Sequence, residues 1–413
     1  MAEDIEIMAP VGSYESLTAA VQAGADSVYF GIGPLNMRAH SAKRFTVEDL
    51  KKITDICKEN KVRSYLTVNT VIYDEDIKQM QELCDAAKEA GITAVIVTDI
   101  AAMQYAKKIG LRIHASTQLN ISNIEAVRYF SKFVDVIVLA RELTLNQINN
   151  ICNAIKEQEI KGPEGKLVKI EVFIHGALCV AIAGKCYMSL AQYAKSANRG
   201  ECLHACRRSY IVIDEETGDE LKIDNKYIMS PKDLCTIGII DKLTDAGIKI
   251  FKIEGRGRPP EYVHTTVKVY KDAVKSCKDK TYSKEKIEGW QNELSTVFNR
   301  GFWEDGYYLG NKLGEWAASY GSKATKEKIF IGKVVNYFTK QGVAEILIQA
   351  DELNIGDELM IIGPTTGILK TEVKTIIKDD KETEKAVKDD DITIKLPDKV
   401  RKNDQVYIIK EKK

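Results

Sequence analysis

The sequence lacks several features that would assign it to a class at once. No apolar run approaches the roughly 18 residues that a membrane helix needs, and the opening MAEDIEIMAPVG is acidic, without the apolar stretch of a signal peptide. Excess charge is absent too, because 60 basic and 60 acidic side chains balance, which argues against strong, sequence-independent binding of nucleic acid. We therefore expect a cytoplasmic protein without a membrane segment, in which disulfides seldom persist.

Sequence signatures of common hydrolases are also missing. The chain contains neither a G-x-S-x-G elbow nor an H-E-x-x-H zinc helix. From residue 326 onward it has no Cys and no His. We therefore expect the chemistry of the protein to lie before residue 326.

The first 256 residues do contain a repeated pattern, in which a helical stretch ending in Gly is followed by a short apolar run, as in AKEAGITAVIVTDI. Gly closes helices because it tolerates the left-handed conformation, and apolar runs without alternation are typical of parallel strands buried on both faces. Eight such runs favour a TIM-like (β/α)8 barrel with some distortion over an open doubly wound sheet. The runs are Ile5–Ala9, Ser27–Ile32, Val62–Asn69, Ala94–Asp99, Arg112–Thr117, Val134–Ala140, Lys169–Ile174 and Ile250–Glu254.

Two further regions complete the predicted α/β architecture. An inserted Cys-rich segment, residues 177–248, separates the seventh and eighth strands and contains a hairpin that turns at Glu216–Gly218. Helical patterns follow Arg256, and short β-like runs begin near Lys326. We predict one domain over residues 1–325 and a small C-terminal β-barrel over residues 326–413.

The inserted segment concentrates the thiols of the chain. Cys179, Cys186, Cys202 and Cys206 have the spacing C-x6-C-x15-C-x3-C, and 28 residues separate Cys206 from Cys235. This is neither a zinc-ribbon nor a ferredoxin spacing, so free thiols, structural zinc and an iron–sulfur cluster all stay open. The segment begins where a barrel strand should end, on the face that carries active sites.

The same stretch carries a resemblance to a known family. EVFIHGALCVAIAGKCYMS (Glu171–Ser189), followed by NRGECLHACRRSY, SPKDLC and KIEGR, resembles the signature of the collagenase-like peptidases. The resemblance extends over essentially the whole chain. The final segment resembles the C-terminal domain of that family, which is similar to the second domain of translation elongation factors.

The resemblance implies RNA chemistry more than proteolysis. Family members include proteins that form 5-hydroxyuridine at the tRNA wobble position, and others that hydroxylate a cytidine of ribosomal RNA. They carry a 4Fe-4S cluster on four cysteines, and the RNA-modifying members depend on prephenate as the expected hydroxyl donor. By matching positions, the cluster ligands would be Cys179, Cys186, Cys202 and Cys206, with Cys235 as the alternative fourth ligand. The resemblance also allows for a paralogous partner subunit.

Side chains at the ends of the predicted strands should line one pocket. Arg141 and Arg256 are candidates for binding a small dicarboxylate because guanidinium groups bind carboxylates bidentately, the alternative being ion pairs with Glu142 or Glu254. His175 and Glu254 are the predicted catalytic residues, although His175 could equally be structural. The other predicted substrate-binding residues at strand ends are Asn69, Gln118, Asn120 and Glu142. Arg199 and Arg207 of the inserted segment are candidates for contacting RNA, the alternative being that they pair with acidic residues or stay solvated.

The sequence thus predicts an iron–sulfur enzyme that hydroxylates tRNA without dioxygen. The alternatives are hydroxylation of a ribosomal RNA cytidine, a collagenase-like peptidase, and a scaffold whose thiols bind zinc.

Overall fold

The computed structural model describes residues 5–39, 45–218, 220–221, 229–303, 315–317 and 321–412. Within these ranges no helix combines the length and the hydropathy that a membrane span requires. The rest of the fold follows from two sets of strands, one parallel and one antiparallel.

The first set forms a closed barrel. Strands β1–β7 and β11 lie parallel to their neighbours, and β11 pairs with both β1 and β7. This closure excludes the open sheet, so the predicted TIM-like barrel and its eight strands are confirmed, with the fifth and sixth strands shorter than predicted. The strands of this half are β1 (Glu6–Pro10), β2 (Ser27–Gly31), β3 (Arg63–Val68), β4 (Ala94–Val97), β5 (Ile113–Ala115), β6 (Val136–Val138), β7 (Lys169–Gly176), β8 (Val212–Ile213), β9 (Glu220–Leu221), β10 (Asp233–Cys235), β11 (Ile250–Ile253) and β12 (Phe302–Trp303).

Helices surround the barrel, and their ends follow the sequence signals. Gly91 ends α3 with a φ of 78°, the left-handed conformation that the repeated pattern predicts. Thr144 begins α6 with a capping box in which its side chain accepts a hydrogen bond from the Gln147 N–H. The described helices are α1 (Tyr14–Gln22), α2 (Asp49–Glu59), α3 (Ile77–Ala90), α4 (Ile100–Lys108), α5 (Ile124–Phe130), α6 (Leu145–Glu157), α7 (Met188–Tyr193), α8 (Ile240–Asp245), α9 (Pro260–Lys278) and α10 (Lys284–Ser295).

The chain between β7 and β11 contains short elements. The predicted hairpin is present as the antiparallel pair β8–β9, although residues 219 and 222–228 of the predicted stretch lie outside the described residues. Strand β10 pairs antiparallel with β7, and β12 continues this edge parallel to β10. Two strands are thereby added beside the closed barrel.

The second set of strands is antiparallel and encloses its own aliphatic core. Eight of its strands form one sheet in the order β17-β16-β22-β13-β14-β21-β18-β19, and β15 pairs with β20. The domain boundary at residue 325 and the likeness to an elongation-factor domain stay predictions. The strands are β13 (Lys326–Phe338), β14 (Val343–Ile348), β15 (Glu352–Asn354), β16 (Glu358–Gly363), β17 (Gly367–Glu372), β18 (Ile376–Lys378), β19 (Lys381–Thr383), β20 (Lys385–Val387), β21 (Asp391–Lys395) and β22 (Gln405–Glu411).

The antiparallel sheet packs against α1 of the barrel. Ala19 lies in one buried cluster with Met360, Ile362 and Ile368. The side chain of Gln22 donates to the Thr366 carbonyl at 2.7 Å and accepts from the Ile368 N–H at 3.0 Å. Direct contacts therefore link the two sets of strands.

Candidate functional site

The barrel interior contains buried charge below its C-terminal mouth. Lys252 of β11 forms an ion pair with Glu171 of β7, with 2.7 Å between Nζ and Oε1. His114 Nδ1 lies 3.5 Å from the other oxygen of Glu171. Burial would raise the pKa of Glu171, but Lys252 and His114 outweigh it and lower the pKa below its usual value. The barrel axis is therefore polar, and the carboxylate in it is ionised.

Glu254 follows β11 at the mouth, and several arginines lie around its carboxylate. Its carboxylate pairs with Arg38 at 3.0 Å and accepts a hydrogen bond from the Ala177 N–H at 3.3 Å. Burial alone would raise the pKa of Glu254, but Arg38, Arg258 and Arg141 lower it to about 2. Glu254 is therefore ionised at neutral pH and holds Arg38 at the mouth.

Three arginines at the mouth form no ion pair with any described residue. Arg141 donates to the Ala177 carbonyl at 3.3 Å and stacks on Phe173, while its Nε is buried without a partner. Arg256 donates to Thr67 Oγ1 at 2.6 Å, and burial lowers its pKa to about 10. Arg258 stacks on a phenylalanine ring 3.6 Å away. The ion pairs considered for Arg141 and Arg256 are thus absent among the described residues, and the mouth has positive charge available for an anion.

His175 lies in the barrel wall, 1% exposed. Its Nδ1 is 3.3 Å from Tyr270 Oη, and its ring packs against Tyr262 and Phe302. Burial lowers the pKa of His175 to about 3. His175 is neutral and Glu254 is ionised, the opposite of what proton donors need, so their geometry favours positioning roles, and the catalytic assignment stays a prediction.

The predicted polar residues divide into two groups. Asn69 Nδ2 lies 3.5 Å from Ser116 Oγ, which donates to Gln118 Oε1 at 3.2 Å, so these residues form one chain at the mouth. Asn120 has a φ of 51° and ends the turn before it, a conformational role. The side chain of Glu142 is exposed and forms no ion pair with a described residue.

The two arginines predicted to contact RNA are engaged within the protein. Arg199 forms an ion pair with Asp76 and stacks on Tyr73. Arg207 donates to Ser230 Oγ at 3.0 Å and to the Pro231 carbonyl at 2.6 Å. Both arginines therefore fix the inserted segment, and their predicted contact with RNA stays a prediction.

The inserted segment crosses the mouth. The Val71 N–H donates to the Asn198 carbonyl at 3.2 Å. A Cβ atom built on Gly200 would lie 2.2 Å from the Asn36 carbonyl oxygen, so the two backbones are in close contact. The thiols on this segment are thereby held over the polar end of the barrel.

Four thiols of the segment lie near one another. Burial raises the pKa of Cys206; Arg207 opposes this shift, and the thiols of Cys179, Cys202 and Cys186 add to it. Backbone N–H groups approach two of the sulfurs, Met188 at 3.5 Å from Cys186 Sγ and His204 at 3.4 Å from Cys202 Sγ. The described hydrogen bonds of these sulfurs include none from a histidine ring.

These thiols suit an iron–sulfur cluster by the kind of donor and by their mutual proximity. As they stand, no three His, Cys, Asp or Glu side chains of the described residues are arranged to hold a metal ion, so binding would require the sulfurs to move together. Cys235 is fully buried in β10 near Tyr270 Oη. The structure places Cys206 near the other three thiols, and the choice between Cys206 and Cys235 as the fourth ligand stays a prediction.

Sequence reasoning missed Arg38, Glu171 and Lys252. Arg38 lies in the irregular segment after β2, where no periodicity identifies it. Lys252 and Glu254 could have been found together, because two charged residues at alternate positions of an otherwise apolar strand face the same side.

Taken together, these features define a TIM-type barrel with a group of thiols and several arginines at one mouth, as in an enzyme. The model of Peptidase family U32 matches residues 12–318. The chain belongs to this family, as its signature residues predict.

Three proteins that are similar to this chain have names that indicate different activities. A protein of Porphyromonas gingivalis named Collagenase is 57% identical over 98% of this chain and 97% of its own length. The tRNA hydroxylation protein P1 of Bacillus subtilis is 30% identical over 91% of this chain and 87% of its own. The 23S rRNA 5-hydroxycytidine C2501 synthase of Escherichia coli is 30% identical over 87% of this chain and 53% of its own. These names support the prediction of an enzyme.

Proposed function

We propose that this protein hydroxylates tRNA, forming 5-hydroxyuridine at the wobble position by an oxygen-independent, prephenate-dependent route with an iron–sulfur cluster. The observation that carries the proposal is the joint position of four thiols and several unpaired arginines at one barrel mouth. The name of the B. subtilis relative supports tRNA as the substrate.

The arginines support a dicarboxylate co-substrate. Arg141, Arg256 and Arg258 have no carboxylate partner among the described residues, and Arg141 Nε is buried without a hydrogen bond. A buried donor without a partner is costly, and a bound carboxylate would satisfy it with a charge-assisted bond. Prephenate carries two carboxylates and therefore fits this group in charge.

The thiols support a redox centre beside that anion. Cys179, Cys186, Cys202 and Cys206 would hold the cluster, which when bound supplies electron transfer. Glu254 would keep Arg38 oriented, and the inserted segment would exclude water from the mouth. A uridine would reach the site only if its base were unstacked, as in other enzymes that act on bases.

The test is nucleoside analysis of tRNA from a strain that lacks the gene. We expect 5-hydroxyuridine and its derivatives to disappear, to return with the wild-type gene, and to stay absent with Cys202→Ser. The Cys277→Ser variant is the matched control, because this thiol lies on α9 away from the mouth and should restore the modification. Unchanged tRNA nucleosides in the deletion strain would overturn the proposal, and loss of a hydroxylated cytidine from ribosomal RNA instead would assign the alternative RNA.

A second candidate is proteolysis, which the name of the P. gingivalis relative favours. A cysteine peptidase needs a thiol next to a base, but His175 lies against Tyr270 in the barrel wall, and the described hydrogen bonds of the thiols include none from the ring of His204. Gelatin cleavage by purified protein should therefore be absent. Cleavage that survives replacement of all four thiols of the cluster site would favour a peptidase that does not use them.

A further inference from the structure

The inserted segment differs in charge from the balanced chain around it. Residues 177–211 contain five Lys or Arg side chains and one acidic side chain, Glu201. Arg199 and Arg207 are engaged in internal contacts. Two exposed cations without an ion pair to a described residue are Lys185 and Arg208.

The same segment exposes large apolar and aromatic side chains. Tyr187 is 78% exposed and Leu190 41%. Arg208 stacks on Tyr193 with 5.1 Å between its guanidinium carbon and the ring centroid. Aromatic rings exposed beside cations are typical of surfaces that bind single-stranded nucleic acid. We call the group of Lys185, Tyr187, Leu190, Tyr193 and Arg208 the α7 surface.

The α7 surface lies directly outside the thiols. Ser189, on the inner side of α7, is 2% exposed, and its hydroxyl lies 4.0 Å from Cys202 Sγ. The Met188 N–H approaches Cys186 Sγ, as described above. One side of α7 therefore faces the thiols and the other side faces solvent. An RNA strand bound on the solvent side would lie close to the mouth of the barrel.

We propose that the α7 surface binds unpaired nucleotides of the RNA substrate, with a base stacked on Tyr187 and phosphates near Lys185 and Arg208. The inference rests on the proposed function for the identity of the RNA. Charge complementarity favours a polyanion, and the exposed rings favour a single strand, because a base offers its face only when it is unpaired. Tyr187 would then hold a neighbour of the target uridine.

The test measures binding of a fluorescein-labelled oligouridylate of about 12 nucleotides to the full-length, anaerobically purified protein by fluorescence anisotropy. We expect Tyr187→Ala to weaken binding by at least about fivefold and Tyr187→Phe to leave it nearly unchanged, since stacking needs only the ring. Lys185→Ala should reduce the slope of log affinity against log salt by about 1. A duplex of the same length should compete poorly.

Matched controls come from the outer face of the barrel. Tyr129 on α5 is 52% exposed, and its ring lies 5.6 Å from Lys132 Nζ. Tyr129→Ala and Lys132→Ala should leave both affinity and salt slope unchanged. Iron content and melting temperature are measured for every variant, so that a change at the neighbouring Cys186 is recognised.

Two results would overturn the inference. One is unchanged affinity in Tyr187→Ala and Lys185→Ala. The other is a change in self-association with no change in RNA binding, measured by sedimentation, which would make the α7 surface a protein contact. Both results are independent of the nucleoside analysis, because a strain lacking the gene can lose 5-hydroxyuridine whichever surface binds the RNA.

Discussion

The barrel and the C-terminal antiparallel sheet bury different kinds of side chain. The sheet encloses an aliphatic core and buries Asp404 beside Thr366, whereas the barrel buries the ion pair of Glu171 and Lys252 together with His114. A buried ion pair is weak support for stability, because the loss of hydration offsets its attraction. We therefore expect the charged interior to serve the site at the mouth more than the stability of the fold.

The largest expected difference between the two regions concerns iron. Replacing Cys179, Cys186, Cys202 and Cys206 together by Ser should abolish the iron, the acid-labile sulfide and the visible absorbance of protein purified without oxygen. Cysteine thiolates are the usual protein ligands of iron–sulfur clusters. The C-terminal sheet contains no cysteine, so it should contribute nothing to iron binding. Iron and sulfide per chain are the measurements.

Single substitutions then distinguish the fourth ligand. Cys206→Ser should lower iron strongly and Cys235→Ser should not, since Cys235 is fully buried beside Tyr270. Colourless wild-type protein containing zinc would contradict the iron–sulfur assignment itself.

The next largest effect should come from the buried ion pair. In Glu171→Gln, Lys252 loses its carboxylate inside the barrel, and breaking a buried pair costs about 3–5 kcal/mol of unfolding free energy. In the C-terminal region, Glu352→Gln removes an equally direct partner of Lys385, but both side chains are exposed, so the loss of unfolding free energy should be much smaller.

Urea unfolding separates the two costs. All three tryptophans precede residue 326, so their fluorescence follows the barrel, and far-ultraviolet circular dichroism follows both regions. Equal losses in Glu171→Gln and Glu352→Gln would contradict the contrast between the buried ion pair of the barrel and the exposed pair of the C-terminal region.

The two regions were also predictable to different degrees. Several barrel strands could be located because they follow a helix closed by a glycine such as Gly91, a local signal in the chain. The site depends on contacts between distant residues: Arg38 and Glu254 are 216 positions apart, so no spacing reveals their pairing. The thiols could be found because they belong to a sequence motif. The sequence does not show which arginines lack a carboxylate partner, because that depends on tertiary contacts.

A smaller effect is expected at low pH, where the stability of the two regions should change in opposite directions. The folded-state pKa of Glu254 is about 2, below the value of roughly 4.3 for an unfolded Glu. Its contribution to stability is therefore present above about pH 4.3 and is lost as the pH falls toward 2. Burial raises the pKa of Asp404 in the sheet, so its ionised form destabilises the fold at neutral pH, and acid relieves this.

Measurements of unfolding free energy between pH 6 and pH 3 test both predicted directions of change. The stability difference between wild type and Glu254→Gln should shrink as the pH falls. The barrel contains a second acid-sensitive group, since the pKa of His175 is about 3 against roughly 6.5 when unfolded. Glu254 is one of the groups that act on this pKa, so the effect of His175 cancels only above about pH 4, where its folded-state imidazole is neutral in both proteins. Asp404→Asn should reduce the gain in stability that the sheet shows as the pH falls. If both regions gained or lost stability together, the predicted roles of Glu254 and Asp404 would be wrong.

The smallest expected difference between the two regions concerns two glycines in the left-handed conformation. Gly200, where the inserted segment crosses the mouth, has a φ of 80°, and an added Cβ would overlap the Asn36 carbonyl. Gly356 in the sheet has a φ of 89° and open space around it. Gly356→Ala should cost about 1–2 kcal/mol from the backbone conformation alone, and Gly200→Ala should cost about 1–3 kcal/mol more from the overlap.

The rate of reaction with a thiol reagent tells whether that cost is local. If Gly200→Ala displaces the inserted segment from the mouth, the thiols of iron-free protein should react faster than in wild type, while Gly356→Ala should react at the wild-type rate. Unchanged thiol reactivity together with a larger loss of stability would mean that the barrel adjusts around Asn36 and the segment keeps its place. The position of the thiols over the mouth would then depend on the Arg199–Asp76 ion pair more than on the backbone contact at Gly200.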